Sequence, residues 1–157
     1  MNVEIEPVTD LDQAWPELVE LFRGLSEHQT PLTGQELLPD WEERVRALFE
    51  SGVRSGTGTF FVARHNGRAI GFANGHHVEN ASIFRERVGF IDNVFVREDL
   101  RGRGVASLLV DALERWFRES GVGIAELNVS AANEHALRVW EHLGYEPFSE
   151  RRRKRLT

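Results

Sequence analysis

The chain of 157 residues has no cysteine, which excludes disulfides, thiolate metal sites and a cysteine nucleophile. No apolar run approaches the ~18 residues of a membrane-spanning helix. The opening MNVEIEPVTD is acidic, where a secretory leader would be basic and then apolar. These absences lead us to expect a cytoplasmic protein with no membrane partner. Two common phosphate-binding loops are missing as well: no glycine pair spaced by four residues precedes Lys-Ser/Thr, and no third glycine completes a dinucleotide fingerprint. Tyrosine occurs once, at Tyr145. The histidines show no metal-ligand spacing with carboxylates on one helix. Adjacent His76 and His77 fall on opposite faces of a strand and read as one buried and one solvated ring rather than a metal site. No metal is expected.

What is present is organised around Phe90 to Phe117, FIDNVFVREDLRGRGVASLLVDALERWF. Phe90, Ile91, Val94, Phe95 and Val96 read as a strand covered on both faces, interrupted by Asp92 and Asn93. Val105, Leu108, Leu109, Ala112, Leu113, Trp116 and Phe117 then recur at helical spacing. Between strand and helix lies Arg101-Gly102-Arg103-Gly104-Val105-Ala106, where two glycines allow close approach to the backbone. Unpaired amides at the helix start, its positive dipole end and two arginines make an anion site suited to a diphosphate.

The rest of the chain reads as alternating strand and helix signals within one domain, 1–157, with no repeat and no interdomain linker. Val3 to Val8 is an edge strand; Thr9 or Asp10 caps a helix that stops near Gly24. Ser26 to Pro39 is rich in turn formers and reads as a mobile loop, followed by a shorter helix from Trp41 to Ser51-Gly52. Asn66-Gly67 between two apolar runs is a strong hairpin signal. Val78 to Arg87 reads as a long hairpin connection. Ile124 to Ser130 alternates as a strand, and a last helix ends at Gly144, placed for a left-handed cap. The tail to Thr157 is expected to be strand. The formal net charge of −6 divides into −9 over residues 1–50 and +3 over the remainder. This asymmetry fits either solvated helix faces or a protein that handles a cation and a polyanion together.

The loop, as Arg101-x-x-Gly104-x-Ala106, resembles the acyl-coenzyme A signature of the Gcn5-related N-acetyltransferases (GNAT). A second block, Leu127-x-Val129, Asn133-x-x-Ala136 and Leu143-Gly144-Tyr145, resembles the strand, helix and Gly-Phe/Tyr close of that family. Together they extend the resemblance over about residues 57 to 148, with spermidine/spermine and aminoglycoside acetyltransferases as the suggested relatives. The resemblance implies an α/β (α+β) fold: a mixed, mostly antiparallel sheet with one splayed parallel strand pair and helices on both faces. It implies acetyl-CoA as co-substrate, held along the backbone of Val94, Phe95 and Val96. The diphosphate would lie on Gly102, Arg103, Gly104, Val105, Ala106 and Ser107, with Arg101 alongside. Asn133 matches a family position that reaches the coenzyme, or serves only as a helix cap. The first two helices would frame the acceptor side.

Asp92 is the candidate base. Burial would raise its pKa, and its charge would attract a cationic amine; the competing reading is a structural carboxylate. The position where many relatives carry an acid tyrosine is Trp140, whose indole gives up no proton. No general acid is therefore assigned. The expected reaction is acetyl transfer to the primary amine of a small cationic acceptor. The alternatives are acetylation of a protein N-terminus or lysine, or a non-catalytic acyl-CoA-binding module. No nucleic-acid partner is expected, and a homodimer is compatible with the sequence.

Overall fold

The computed structural model describes residues 1–78, 83 and 85–157. Among them, strands β1 (Glu4–Pro7), β2 (Gly58–His65), β3 (Arg68–His77), β4 (Val88–Val96) and β5 (Ile124–Leu127) form one sheet in the order β1-β2-β3-β4-β5. Neighbours are antiparallel except β4 and β5, which are parallel. Helices α1 (Leu11–Thr33) and α2 (Trp41–Ser55) cover one face, α3 (Val105–Glu119) covers the other, and α4 (Glu134–His142) follows β5. The fold expected from the resemblance is thus present.

Two cores separate the layers. On one face Leu18, Leu21 and Leu25 of α1 and Phe49 of α2 pack on Phe60, Val62, Phe72 and Phe95. On the other, Val105, Leu109, Val110, Leu113 and Phe117 of α3 pack on Ala63, Ile70, Ala73, Ile91 and Val96. The β2–β3 hairpin turns at Asn66 (φ 51°) and Gly67 (φ 75°), the double positive φ of a type I′ turn. At the end of α4, Gly144 (φ 88°) donates to the Glu141 carbonyl and Tyr145 N–H to that of Trp140, a Schellman closure. Both turns were legible in the sequence.

Several boundaries differ from the sequence-based expectation. Helix α1 does not stop at Gly24 but runs to Thr33, so most of the expected Ser26–Pro39 loop is helix. A Cβ at Gly24 would stand 2.9 Å from Cζ of Phe95, so the glycine lets helix and sheet approach and does not end the helix. Leu25 continues the buried stripe, and Gly34 (φ 67°) provides the actual cap. In the same way α2 passes Gly52 and ends at Ser55, because Gly52 packs against Gly58 at the start of β2. Strand β5 stops at Leu127 rather than Ser130. Residues 146–157 are exposed and form no strand, contrary to expectation. Half of the connection expected over Val78 to Arg87 lies outside the described residues. No helix among the described residues is long and apolar enough to cross a membrane.

Candidate active site

The site begins with an irregularity in β4. Asn74 pairs with Asn93 and the next residue, Gly75, pairs with Ile91, so Asp92 is an extra residue on β4, a β-bulge. The faces confirm it: Ile91 and Val94 both pack on the α3 side although three positions separate them. A bulge bends its strand away from the partner. Pairing of β4 with β5 covers only Val88 to Ile91 against Ile124 to Leu127 and ends at the bulge. Beyond it, Val94, Phe95 and Val96 remain paired with β3 but have no strand partner on the β5 side among the described residues, where the Val96 carbonyl accepts from Arg101. That stretch of sheet edge is available to an extended ligand bearing amides.

The opposite edge of β4 is closed tightly by glycine. A Cβ at Gly71 would meet the Phe95 carbonyl oxygen at 2.6 Å, and one at Gly75 the Phe90 carbonyl oxygen at 2.7 Å. Contacts with backbone cannot be relieved by a rotamer change, so these two positions hold the bulged strand in register.

After Val96 the chain makes a short 3₁₀ turn, Glu98–Leu100, and reaches the glycine loop. Arg101 donates from Nε to the Val96 carbonyl at 2.9 Å, and its guanidinium lies 5.6 Å from the centre of the Phe95 ring. It ties the loop to the end of β4. Gly102 (φ 73°) and Gly104 (φ 80°) take left-handed conformations, and a Cβ at either would meet only open space. Gly104 caps α3 without any side-chain hydrogen bond. The first bond at the helix start is Leu108 N–H to the Gly104 carbonyl, 3.2 Å. The amides of Val105, Ala106 and Ser107 therefore have no helical partner and, with the dipole behind them, face outward. Arg103 beside them is exposed.

Asp92 sits where the apolar face beneath α1 gives way to polar residues. Moving out from Phe72 and Phe95, the same face presents Asn74 and Asn93, whose amides bond at 3.0 Å, and then His76 and Asp92. His76 Nδ1 lies 2.7 Å from Asp92 Oδ2, and the imidazole stacks on Phe90 at 5.3 Å between ring centres. With Phe90, Ile91, Leu127 and Asn128 the pair lines a hollow of about 250 Å³ between the parting strands. The Asp92 side chain is 35% exposed, so it is less buried than its apolar strand suggested. Loss of hydration still pushes its carboxyl above the usual carboxylate range, while the His76 hydrogen bond opposes that rise. The expected division of the histidine pair holds, with His77 buried and His76 half-exposed. What the sequence reading missed is that His76 belongs with Asp92. That contact crosses two strands on a diagonal created by the bulge, and its only sequence signal is two successive polar residues inside an apolar strand.

The remaining site candidates occupy other roles. Asn133 is the N-cap of α4, accepting from the Ala136 N–H at 3.1 Å. Trp140 is partly buried against the α3-side core and meets Tyr145 edge-on at 5.2 Å. Tyr145 donates to the Glu114 carboxylate of α3 at 2.9 Å. Burial, with that carboxylate beside it, pushes its phenol far above the ordinary range.

A mixed sheet whose only parallel pair among the described residues parts at a bulge, next to a helix opened by glycines, has the architecture of the GNAT acyltransferase fold. The chain belongs to the acetyltransferase (GNAT) family, whose model matches residues 15–145. It is 32% identical over 87 residues to an uncharacterised N-acetyltransferase of Methanocaldococcus jannaschii, covering 55% of this chain and 38% of that protein. It is 33% identical over 88 residues to aminoglycoside N(6′)-acetyltransferase type 1 of Salmonella typhimurium, covering 55% of this chain and 61% of that one. The matches thus span from about a third to three-fifths of those relatives' lengths. An aminoglycoside N-acetyltransferase solved with CoA shares the fold at a TM-score of 0.72 and 23% identity, over 99% of this chain and 95% of that chain.

Proposed function

We propose that the protein transfers an acetyl group from acetyl-CoA to the primary amine of a small cationic acceptor by direct attack. The observation that carries this reading is the adjacency of the β4 edge that β5 leaves uncovered, Val94 to Val96, and the amides at the start of α3 that lack helical partners. In this reading the pantetheine amides pair with the strand edge as a β5 residue otherwise would. Gly102, Arg103, Gly104, Val105, Ala106 and Ser107 receive the diphosphate. The open space above both glycines leaves room for it, and Asn133, its carbonyl committed to the cap, can still donate from Nδ2.

The acetyl carbonyl then lies near the bulge, where strand amides released from β5 polarise it and stabilise the oxyanion that forms on attack. The acidic pair-partner Asp92 draws a cationic amine into the hollow. The aminoglycoside relatives, and the acidic balance of residues 1–50, support a cationic small molecule as acceptor. No tyrosine serves as acid in this reading. The thiolate leaves as such and takes its proton from water.

The test is release of free coenzyme A from acetyl-CoA by the purified protein against a panel of polyamines, aminoglycosides and lysine-bearing peptides. Turnover with one or more small amines is the expected result. Turnover with peptides alone would move the acceptor to proteins, and tight coenzyme binding without release to any amine would leave a binding module.

A further inference from the structure

The geometry points to His76, not Asp92, as the group that takes the proton from the attacking amine, with Asp92 as its positioning residue. The inference rests on the acetyltransferase reading and deepens it. A carboxylate oxygen 2.7 Å from Nδ1 of an imidazole has one stable arrangement while the carboxylate is ionised: Nδ1 carries the proton and donates it to Asp92. Nε2 is then the lone-pair nitrogen. It has no hydrogen-bond partner among the described residues, and the ring is 44% exposed on the lining of the hollow where the strands part. Phe90 holds the ring plane by stacking, so the orientation is set from two directions. Of the described residues lining this hollow, Ile91, Leu127, Phe90 and Asn128 do not titrate, and His76 and Asp92 are the titratable groups.

Chemistry favours the histidine. A carboxylate already accepting a hydrogen bond offers its lone pairs less freely than the nitrogen it orients, and Nε2 is the lone pair that the Asp92 contact leaves facing the hollow. As the amine nitrogen attacks the thioester carbonyl, the C–N bond forms and the C–S pair departs with sulfur as thiolate. A cationic acceptor first gives its ammonium proton to solvent and attacks as the neutral amine; the second proton, leaving nitrogen during the attack, moves to Nε2, and the imidazolium so formed lies against the Asp92 carboxylate. From Nε2 the proton passes to solvent, and the thiolate takes a proton from water. Atoms and charge balance without a further reactant.

The experiment compares wild type with His76→Ala, His76→Gln and Asp92→Asn. Each is first checked for acetyl-CoA affinity by calorimetry, then assayed for coenzyme release with the best amine as a function of pH, with and without added imidazole. If His76 is the acceptor, His76→Ala and His76→Gln keep coenzyme affinity and lose on the order of 10²-fold in kcat. The ascending limb of the pH profile loses the part that follows His76 and keeps only the rise set by the amine's own deprotonation, and imidazole restores part of the rate in His76→Ala. Asp92→Asn loses on the order of tenfold and keeps the limb, moved along the pH axis, because the imidazole is still present but less well held. Unchanged kcat and an unchanged limb in both His76 variants overturn the assignment. If the limb instead loses that part only in Asp92→Asn, the carboxylate is the acceptor. A wild type that binds acetyl-CoA yet releases no coenzyme with any amine overturns the underlying acetyltransferase reading, a result distinct from either.

Discussion

The hydroxyl of Tyr145 donates to Glu114 at 2.9 Å and so joins the residue that closes α4 to the middle of α3. The single tyrosine of the chain is therefore engaged in holding α4 to the body of the protein. α4 itself has no fully buried residue, so this bond and the partly buried Trp140, Leu143 and Tyr145 side chains are what dock it. A phenol beside a carboxylate, partly buried, is held protonated and is ill suited to cycle as an acid.

Tyr145→Phe should consequently cost stability, by about 1.5–3 kcal/mol for a lost hydrogen bond to a charged group, and leave the shape of the pH–rate profile unchanged. Trp140→Phe should likewise lower stability without altering the profile. Urea titrations and pH profiles of both variants are the measurements. An alkaline limb present in wild type and abolished in Tyr145→Phe would show that the tyrosine is the acid after all.

Asp92→Asn should stabilise the fold at neutral pH while it slows turnover. The folded-state pKa of Asp92 is raised, so between its unfolded and folded values the native state holds the proton more tightly. Stability therefore falls as pH rises through that window, and above it the ionised carboxylate remains a net cost to the native state. The asparagine variant escapes the loss. Its Tm should exceed that of wild type at pH 7, and the difference should close as pH drops below the ordinary carboxylate range. A lower Tm for Asp92→Asn at pH 7 would mean that the His76 bond outweighs desolvation.

Gly104→Val should weaken acetyl-CoA binding at least tenfold, about 1.4 kcal/mol. A Cβ at Gly104 would meet nothing within 4 Å beyond its chain neighbours, so the damage comes from forcing a β-branched residue to φ 80° and from filling the space before the α3 amides. Calorimetry on the folded variant decides it, and unchanged affinity would remove the diphosphate from this loop.

Gly71→Ala should destabilise by about 1–3 kcal/mol, the range for overpacking in a close-packed region. Its new methyl group would press on the Phe95 carbonyl, 2.6 Å away, and push β4 from β3 just beside the bulge. Any activity that survives should show a weaker hold on acetyl-CoA, read as a raised KM, because Val94 to Val96 would be displaced. A stability equal to wild type in urea would show that the sheet can spread at no cost.

Local signals in the sequence determined much of this protein. The Asn66-Gly67 turn, the Gly144 closure, the glycine-opened start of α3 and its apolar stripe were all legible, because each depends on a few neighbouring residues with strong backbone preferences. The two motif blocks sufficed to indicate the family. What only the tertiary structure decided are contacts between elements distant in the chain. Gly24 reads as a helix end until Phe95 is seen to occupy the space its side chain would need. Asp92 reads as a lone carboxylate until the register places it as the extra residue of a bulge and brings His76 to 2.7 Å. Tyr145 reads as part of the Gly-Tyr close, and its hydroxyl has no visible partner until α3 supplies Glu114. Register and packing are set by the sum of many weak side-chain contacts across the whole sheet, and no single stretch of sequence carries that sum.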